Sequence, residues 1–228
     1  MPRRRIIRRR RRRRPLGYKK RGKKRRGLSK ISLFRLRNGT LLPDMLITKF
    51  KYNDRLTVTT GNTNTQVYSI NSLFDPDVTG TGHQPMGFDQ WMEFYSRYEV
   101  RASQILVRFH NTASGNATEC VVYPSQSSAV VTGLSATIEQ PYAKRGVASG
   151  TAGQMTKYIR NYIGCQKLNG RNLDSINFTG TASTSPVHQF YWILYTATLD
   201  PATNLDMNQE VDIIYYVRLY QRKSLSGS

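Results

Sequence analysis

The stretch LITKFKYNDRLTVTT, residues 46–60, decides how most of this chain folds. Leu46, Phe50, Tyr52, Leu56 and Val58 share one parity, while Lys49, Lys51, Asn53, Arg55, Thr57 and Thr59 share the other. Side chains of an extended chain alternate between faces, so the spacing predicts a long strand with one buried face and one wet face. The same alternation returns near the end of the chain at Val211, Ile213, Tyr215, Val217 and Leu219. Between these two, strands are expected over 66–72, 100–110, 118–123 (closing at Pro124), 157–164 and 187–199. The last of these is apolar on both faces around Phe190–Tyr195, as a strand covered on two sides should be. One helix is expected over 88–98, where Phe88, Trp91, Met92 and Tyr95 fall at helical spacing and Asp89 sits in the first turn. The segment 75–87 reads as a Gly- and Pro-rich loop, and 125–154 as a loop with a helical turn near 127–132. A turn is expected over 167–171, followed by irregular chain to 186. Strands joined by long connections, with little helix, predict an all-β fold: a single eight-stranded jelly-roll sandwich.

Upstream of this body lies a different kind of polymer. Residues 1–37 hold 20 of the chain's 35 Lys and Arg, and the first carboxylate is Asp44. The cations are Arg3, Arg4, Arg5, the run Arg8, Arg9, Arg10, Arg11, Arg12, Arg13 and Arg14, then Lys19, Lys20, Arg21, Lys23, Lys24, Arg25 and Arg26, with Lys30, Arg35 and Arg37 behind them. That leaves 15 basic against 14 acidic residues in 38–228, a body near +1 beside an arm near +20. The expected division is therefore a basic arm over 1–37 and a jelly-roll domain over 38–228. Like charges at this density keep a free chain disordered or extended, and thirty such residues reach up to about 100 Å. The natural partner is nucleic acid, because each neutralised phosphate releases counterions without any reading of sequence. Arginine adds bidentate phosphate contacts and stacking on unpaired bases. The block from Arg8 to Arg26 also fits a nuclear import signal, an overlapping use of the same residues. Heparin-like polyanions and anionic lipid are the other surfaces such a run can meet.

The body offers little chemistry. Asp75-Pro76-Asp77 presents two carboxylates, but a Pro-stiffened turn explains them. His83, His110 and His188 lack metal-site spacing, and Gly80-Thr81-Gly82 lacks the Gly-Lys-Ser/Thr end of a phosphate loop. Cys120 and Cys165 are too few for a disulfide framework and read as reduced core thiols. No catalytic residue, metal site or cofactor is expected. The 14 tyrosines fit either base stacking or a sandwich core with subunit contacts, and the near-neutral charge of the body favours the second. No apolar run approaches the roughly 20 residues of a membrane span, and no apolar signal-peptide region follows the basic start, so membrane insertion is not expected.

The strings INSLFDPD (70–77) and TGTGHQPMGFDQW (79–91), with Tyr95, Tyr98 and Val100 after them, are specific. They resemble the capsid protein of circular, Rep-encoding single-stranded DNA viruses, circovirus-like in the broad sense. PYAKRG (141–146), MTK (155–157) and the Arg-rich start are similar to that family too. The resemblance implies a jelly roll assembling as about sixty copies into a small T=1 icosahedral shell. It also implies an inward-facing arm on a circular single-stranded DNA genome, with a host nuclear import receptor as a second partner of the arm. Some relatives bind heparan sulfate from outside, a partner to which no residue here is assigned. The resemblance gives Gly82, His83, Gln84, Pro85, Met86, Gly87, Phe88, Asp89, Gln90 and Trp91 a structural role, with Gly87 as a tight backbone point and Trp91 as the helix anchor. About sixty arms of about 20 charges supply about 1,200 cations, enough for a single-stranded genome on the order of one to two kilobases. The rivals are a ribosomal or chromatin-associated protein with a basic tail, whose body is ordinarily basic as well, and a nuclear enzyme on a β-sandwich.

Overall fold

The structure is a computed structural model that describes residues 42–80, 82–170, 173 and 175–224, all within one unit, Leu42–Ser228. Two antiparallel sheets face each other. One runs β1 (Met45–Val58), β9 (Met207–Arg222), β3 (Tyr95–Asn111), β6 (Thr156–Gly164), and the two-residue β7 (Thr179–Gly180) adds to β3. The other runs β2 (Thr63–Ser69), β8 (Tyr191–Thr198), β4 (Thr118–Ser125), β5 (Lys144–Ala148). The pairs β1–β9, β2–β8, β3–β6 and β4–β5 are nested: the two halves of the chain run antiparallel as one ribbon, and the ribbon is rolled into two sheets. That is the jelly roll the alternating strands predicted.

Parity explains how the first sheet is built. Along β9 every second residue from Met207 to Leu219 is buried and the residues between are half-exposed. β1 pairs with β9 along its whole length, from Met45 opposite Tyr220 to Val58 opposite Met207, so a one-residue slip would expose Phe50 and Tyr52. Polar side chains then stitch the sheets together inside the apolar core. Trp192 donates from Nε1 to Ser103 Oγ (3.0 Å), and the Tyr215 hydroxyl donates to the Ser69 carbonyl (2.9 Å). Asn161 donates to the carbonyls of Val122 (3.3 Å) and Tyr142 (2.9 Å). Each crosses from one layer to the other, and each satisfies a buried polar group that would otherwise cost stability.

Several expectations need correction. The helix α1 spans only Phe88–Phe94, because β3 already begins at Tyr95; Tyr95 and Tyr98 are buried strand residues rather than helical ones. The segment 125–154 is not all loop. It carries α2 (Leu134–Ile138), beyond the expected 127–132, and β5, an edge strand on which Lys144, Arg145 and Val147 are exposed. Of the turn expected over 167–171, residues 167–169 instead end a short helix, α3 (Cys165–Asn169), which closes at Gly170 with φ +70°. β2 starts at Thr63 rather than Gln66, and β8 starts at Tyr191 rather than Val187.

Candidate nucleic-acid interface

The arm residues Arg3 to Arg26 lie outside the described residues. Within the body, the outward parity of the first sheet brings together a face that composition conceals. Among the described residues it carries Lys49, Lys51 and Arg55 from β1, Arg97, Arg101 and Arg108 from β3, Arg160 from β6 and Arg218 from β9. Only Glu99, Glu210 and Asp212 oppose them on that face. More than half of the 15 cations of the body therefore sit here, with 3 of its 14 carboxylates. The near-neutral body is not evenly neutral.

Some of this charge is internally balanced. Lys51 pairs with Asp212 (2.8 Å) and Arg108 with Glu210 (2.7 Å). Glu99, whose side chain is 1% exposed, is gripped by Arg101 (2.6 Å) and by Arg218 through Nε (2.9 Å). Lys49, Arg55 and Arg160 make no ion pair among the described residues. Aromatic rings lie between the cations. Tyr158 and Tyr162 on β6 are 61% and 56% exposed. Tyr162 meets Tyr216 edge to face at 5.9 Å, and the Lys49 ammonium sits 4.8 Å from the centre of the Tyr216 ring. A bulge between Val100 and Ala102 inserts one extra residue into β3 and turns Arg101 outward beside this pair. An open cavity of about 650 Å³ lies there, lined by Arg101, Ala102, Tyr162, Gly164, Gln166, Lys167, Gly170 and Tyr216.

The 82–91 string builds a corner against the buried parity of β1, where Phe50 and Tyr52 lie. A Cβ at Gly82 would come within 2.7 Å of Asp77 Cβ and 2.8 Å of the Tyr52 hydroxyl, so only glycine fits this approach. His83 stands edge-on to the Tyr52 ring at 4.8 Å. The Gln84 amide, oriented to donate, reaches the Asp89 carboxylate at 2.7 Å. Pro85 accepts from the Phe88 N–H (3.1 Å), Met86 projects into solvent, and Gln90 is exposed. Gly87 takes φ +82° at the helix start, the left-handed region glycine tolerates, and its carbonyl accepts from Trp91 N–H. Phe88 and Met92 carry the helix into the core, with Phe88 edge-on to Tyr98 (5.4 Å) and Phe50 (6.3 Å); Trp91 is only half-buried. The Tyr98 hydroxyl in turn accepts from the N–H groups of Leu73 (3.2 Å) and Phe74, holding the 70–77 loop. The geometry is that of a packing corner.

The remaining candidates stay apart. His83, His110 and His188 each have separate neighbours: the Tyr52 ring, the Thr156 hydroxyl (2.8 Å) and the Phe178 ring (5.3 Å). No group of three metal-ligating side chains occurs among the described residues. Asp77 is engaged by Thr79 through N–H and hydroxyl, and burial with the nearby Asp77 charge pushes the Asp75 carboxyl above its ordinary value. Cys120 and Cys165 are free and buried, and burial pushes the Cys165 thiol up to about 12, which makes it a poor nucleophile. The aromatic residues of the last two long strands divide: Trp192, Tyr195 and Tyr215 are buried, whereas Tyr191, Tyr216 and Tyr220 are half-exposed. The open face was readable at KYIRNYI (157–163), where Tyr158, Arg160 and Tyr162 alternate with Ile159, Asn161 and Ile163.

No protein-family model matches the chain, and no curated protein matches it. Among solved structures, the chain is similar to that of desmodium yellow mottle tymovirus: 15% identity, 83% of this chain and 98% of the other covered, TM-score 0.40. It is similar to the decameric BFDV capsid protein at 10% identity, covering 77% and 99%, TM-score 0.41. It is also similar to the Macrobrachium rosenbergii nodavirus semi-empty VLP at 14% identity, covering 83% and 90%, TM-score 0.44.

Proposed function

We propose that this chain is a viral coat subunit of the circovirus-like kind, which assembles into a small T=1 shell of about sixty copies and packages single-stranded DNA through its arm. The observation that carries the reading is the partition of charge along the chain: 20 cations and no carboxylate in 1–37, then a jelly-roll body near +1. A neutral tile can pack against identical copies, and a polycation attached to it can neutralise a genome. The 70–100 strings add the family, and with it DNA as cargo, the host nucleus as the place of assembly, the arm as import signal and glycan as an outside partner. The role is structural rather than catalytic.

Electron microscopy of the purified chain tests the shell: uniform particles of roughly 20 nm are expected. A monomer in light scattering at low and high salt, with nucleic acid present, overturns it. Nuclease sensitivity of the extracted cargo tests DNA against RNA. Replacing Arg8–Arg14 with glutamine tests the arm. The slope of log affinity for single-stranded DNA against log salt should fall by about 5, at about 0.7 per lost phosphate contact. An unchanged slope removes the arm from the reading.

A further inference from the structure

We infer that the open face of the first sheet holds a second single-stranded nucleic-acid site, distinct from the arm, where an unpaired base stacks beside Tyr162 and Tyr216 while the backbone runs past Arg101, Lys167 and Lys49. Charge complementarity names the occupant. Eight cations against three carboxylates give this face a net positive field in a body that is otherwise net negative, so a second copy presenting the same face would be repelled. The lining of the cavity includes Arg101 and Lys167 and no carboxylate. Its volume of about 650 Å³ lies in the range of roughly 300–1,000 Å³ that small ligands occupy.

The rings narrow the class further. Tyr162 is 56% exposed and meets Tyr216 edge to face, leaving ring surface open to a planar partner. A cation beside an aromatic platform is the pairing that holds single strands, because phosphate meets the charge and any base can stack. A duplex keeps its bases against each other and cannot use the platform, so the strand must be unpaired. A smooth protein partner would gain from the rings but would need several carboxylates to match the cations. The site shares its polymer with the proposed function but not its residues, and it stands if the shell reading fails.

Photo-crosslinking of the full chain tests it, with a short oligonucleotide carrying 5-bromodeoxyuridine, and in parallel its 5-bromouridine RNA counterpart. Crosslinks are mapped by mass spectrometry. Adducts on the peptides of Tyr158, Tyr162 and Tyr216 are expected, on either backbone, besides those in the arm. Tyr162→Leu should lower the body adducts about ten-fold and leave arm adducts unchanged. Because Tyr162 is exposed, the variant should keep its melting temperature. Adducts confined to 1–37 overturn the inference and leave the arm reading standing; adducts confined to the body do the reverse. Nitration by tetranitromethane of assembled, nuclease-emptied protein checks the occupant. Modification of Tyr158 and Tyr162 supports the site, and protection without nucleic acid overturns it by assigning the face to a second copy.

Discussion

The two sheets of this body share a core but have opposite backs. In β9 buried and half-exposed residues alternate almost to the end, so the back of the first sheet meets solvent. In β8 seven of eight residues are buried. The back of the second sheet holds its own apolar cluster, Val121, Tyr123, Ile193, Tyr195 and Ala197, packed under Leu134 and Ile138 of α2. A strand apolar on both faces therefore marks a sheet that is covered twice, and an alternating strand marks one with a free side. The loop that covers the second sheet is also the segment whose structure the sequence disclosed least. The free side of the first sheet is where charge and tyrosine rings collect.

Replacing Ile193 with alanine should break the covered back. Loss of a fully buried side chain under α2 is expected to cost about 3 kcal/mol in chemical denaturation. Tyr158→Ala on the free back should cost less than about 0.5 kcal/mol. Equal costs would mean that the two backs do not differ as described.

Glu99→Ala sharpens the comparison, because this carboxylate is buried although it belongs to the free back. Its loss leaves Arg101 and Arg218 without their shared partner. About 2 kcal/mol is expected in denaturant unfolding, less than a fully buried pair would lose because both guanidinium groups reach solvent. No change in midpoint would show that Glu99 neither orders the two arginines nor balances them.

The smallest effect concerns the rim loop. Burial first, and the Asp77 charge second, raise the Asp75 carboxyl in the folded state. The folded state thus binds this proton more tightly than the unfolded chain does. Its contribution to stability is present below the unfolded carboxylate range and is lost as pH rises through the folded value. Asp75→Asn should accordingly raise the melting temperature slightly at neutral pH, by less than about 0.5 kcal/mol in stability. It should give no gain near pH 3.5, below about 3.9 where the unfolded group titrates. A gain that is the same at both pH values would remove the carboxyl charge as its cause.

Much of this was legible beforehand. The parity of 46–60 and 211–219 gave two strands, which the structure pairs along their length; a period of two excludes a one-residue slip, because that would turn both apolar sets outward. The break in charge after Arg37 is a property of the composition alone. What escaped was set by contacts distant in sequence. β5 pairs with β4 from a segment of small and polar residues, with no alternation of its own to announce it. Tyr95 fits helical spacing with Phe88, Trp91 and Met92, yet pairing with Arg222 draws it into β3. The aromatic residues of β8 and β9 could not be divided between core and surface until each strand had neighbours. The neutral sum over 38–228 concealed the cationic face, because a sum carries no direction.

The sequence by itself determined the local facts: which residues extend, which parity is apolar, and where an acid-free polycation ends. These follow from the alternation of an extended chain and from charge density, and both are properties of neighbours along the backbone. Only the tertiary structure decided which strands lie side by side, that the second sheet is covered while the first is not, and that lysines, arginines and tyrosines from four strands converge on one surface. Those outcomes depend on pairings between residues distant in sequence, from His110 with Thr156 to Lys49 with Tyr216, and no local pattern records them.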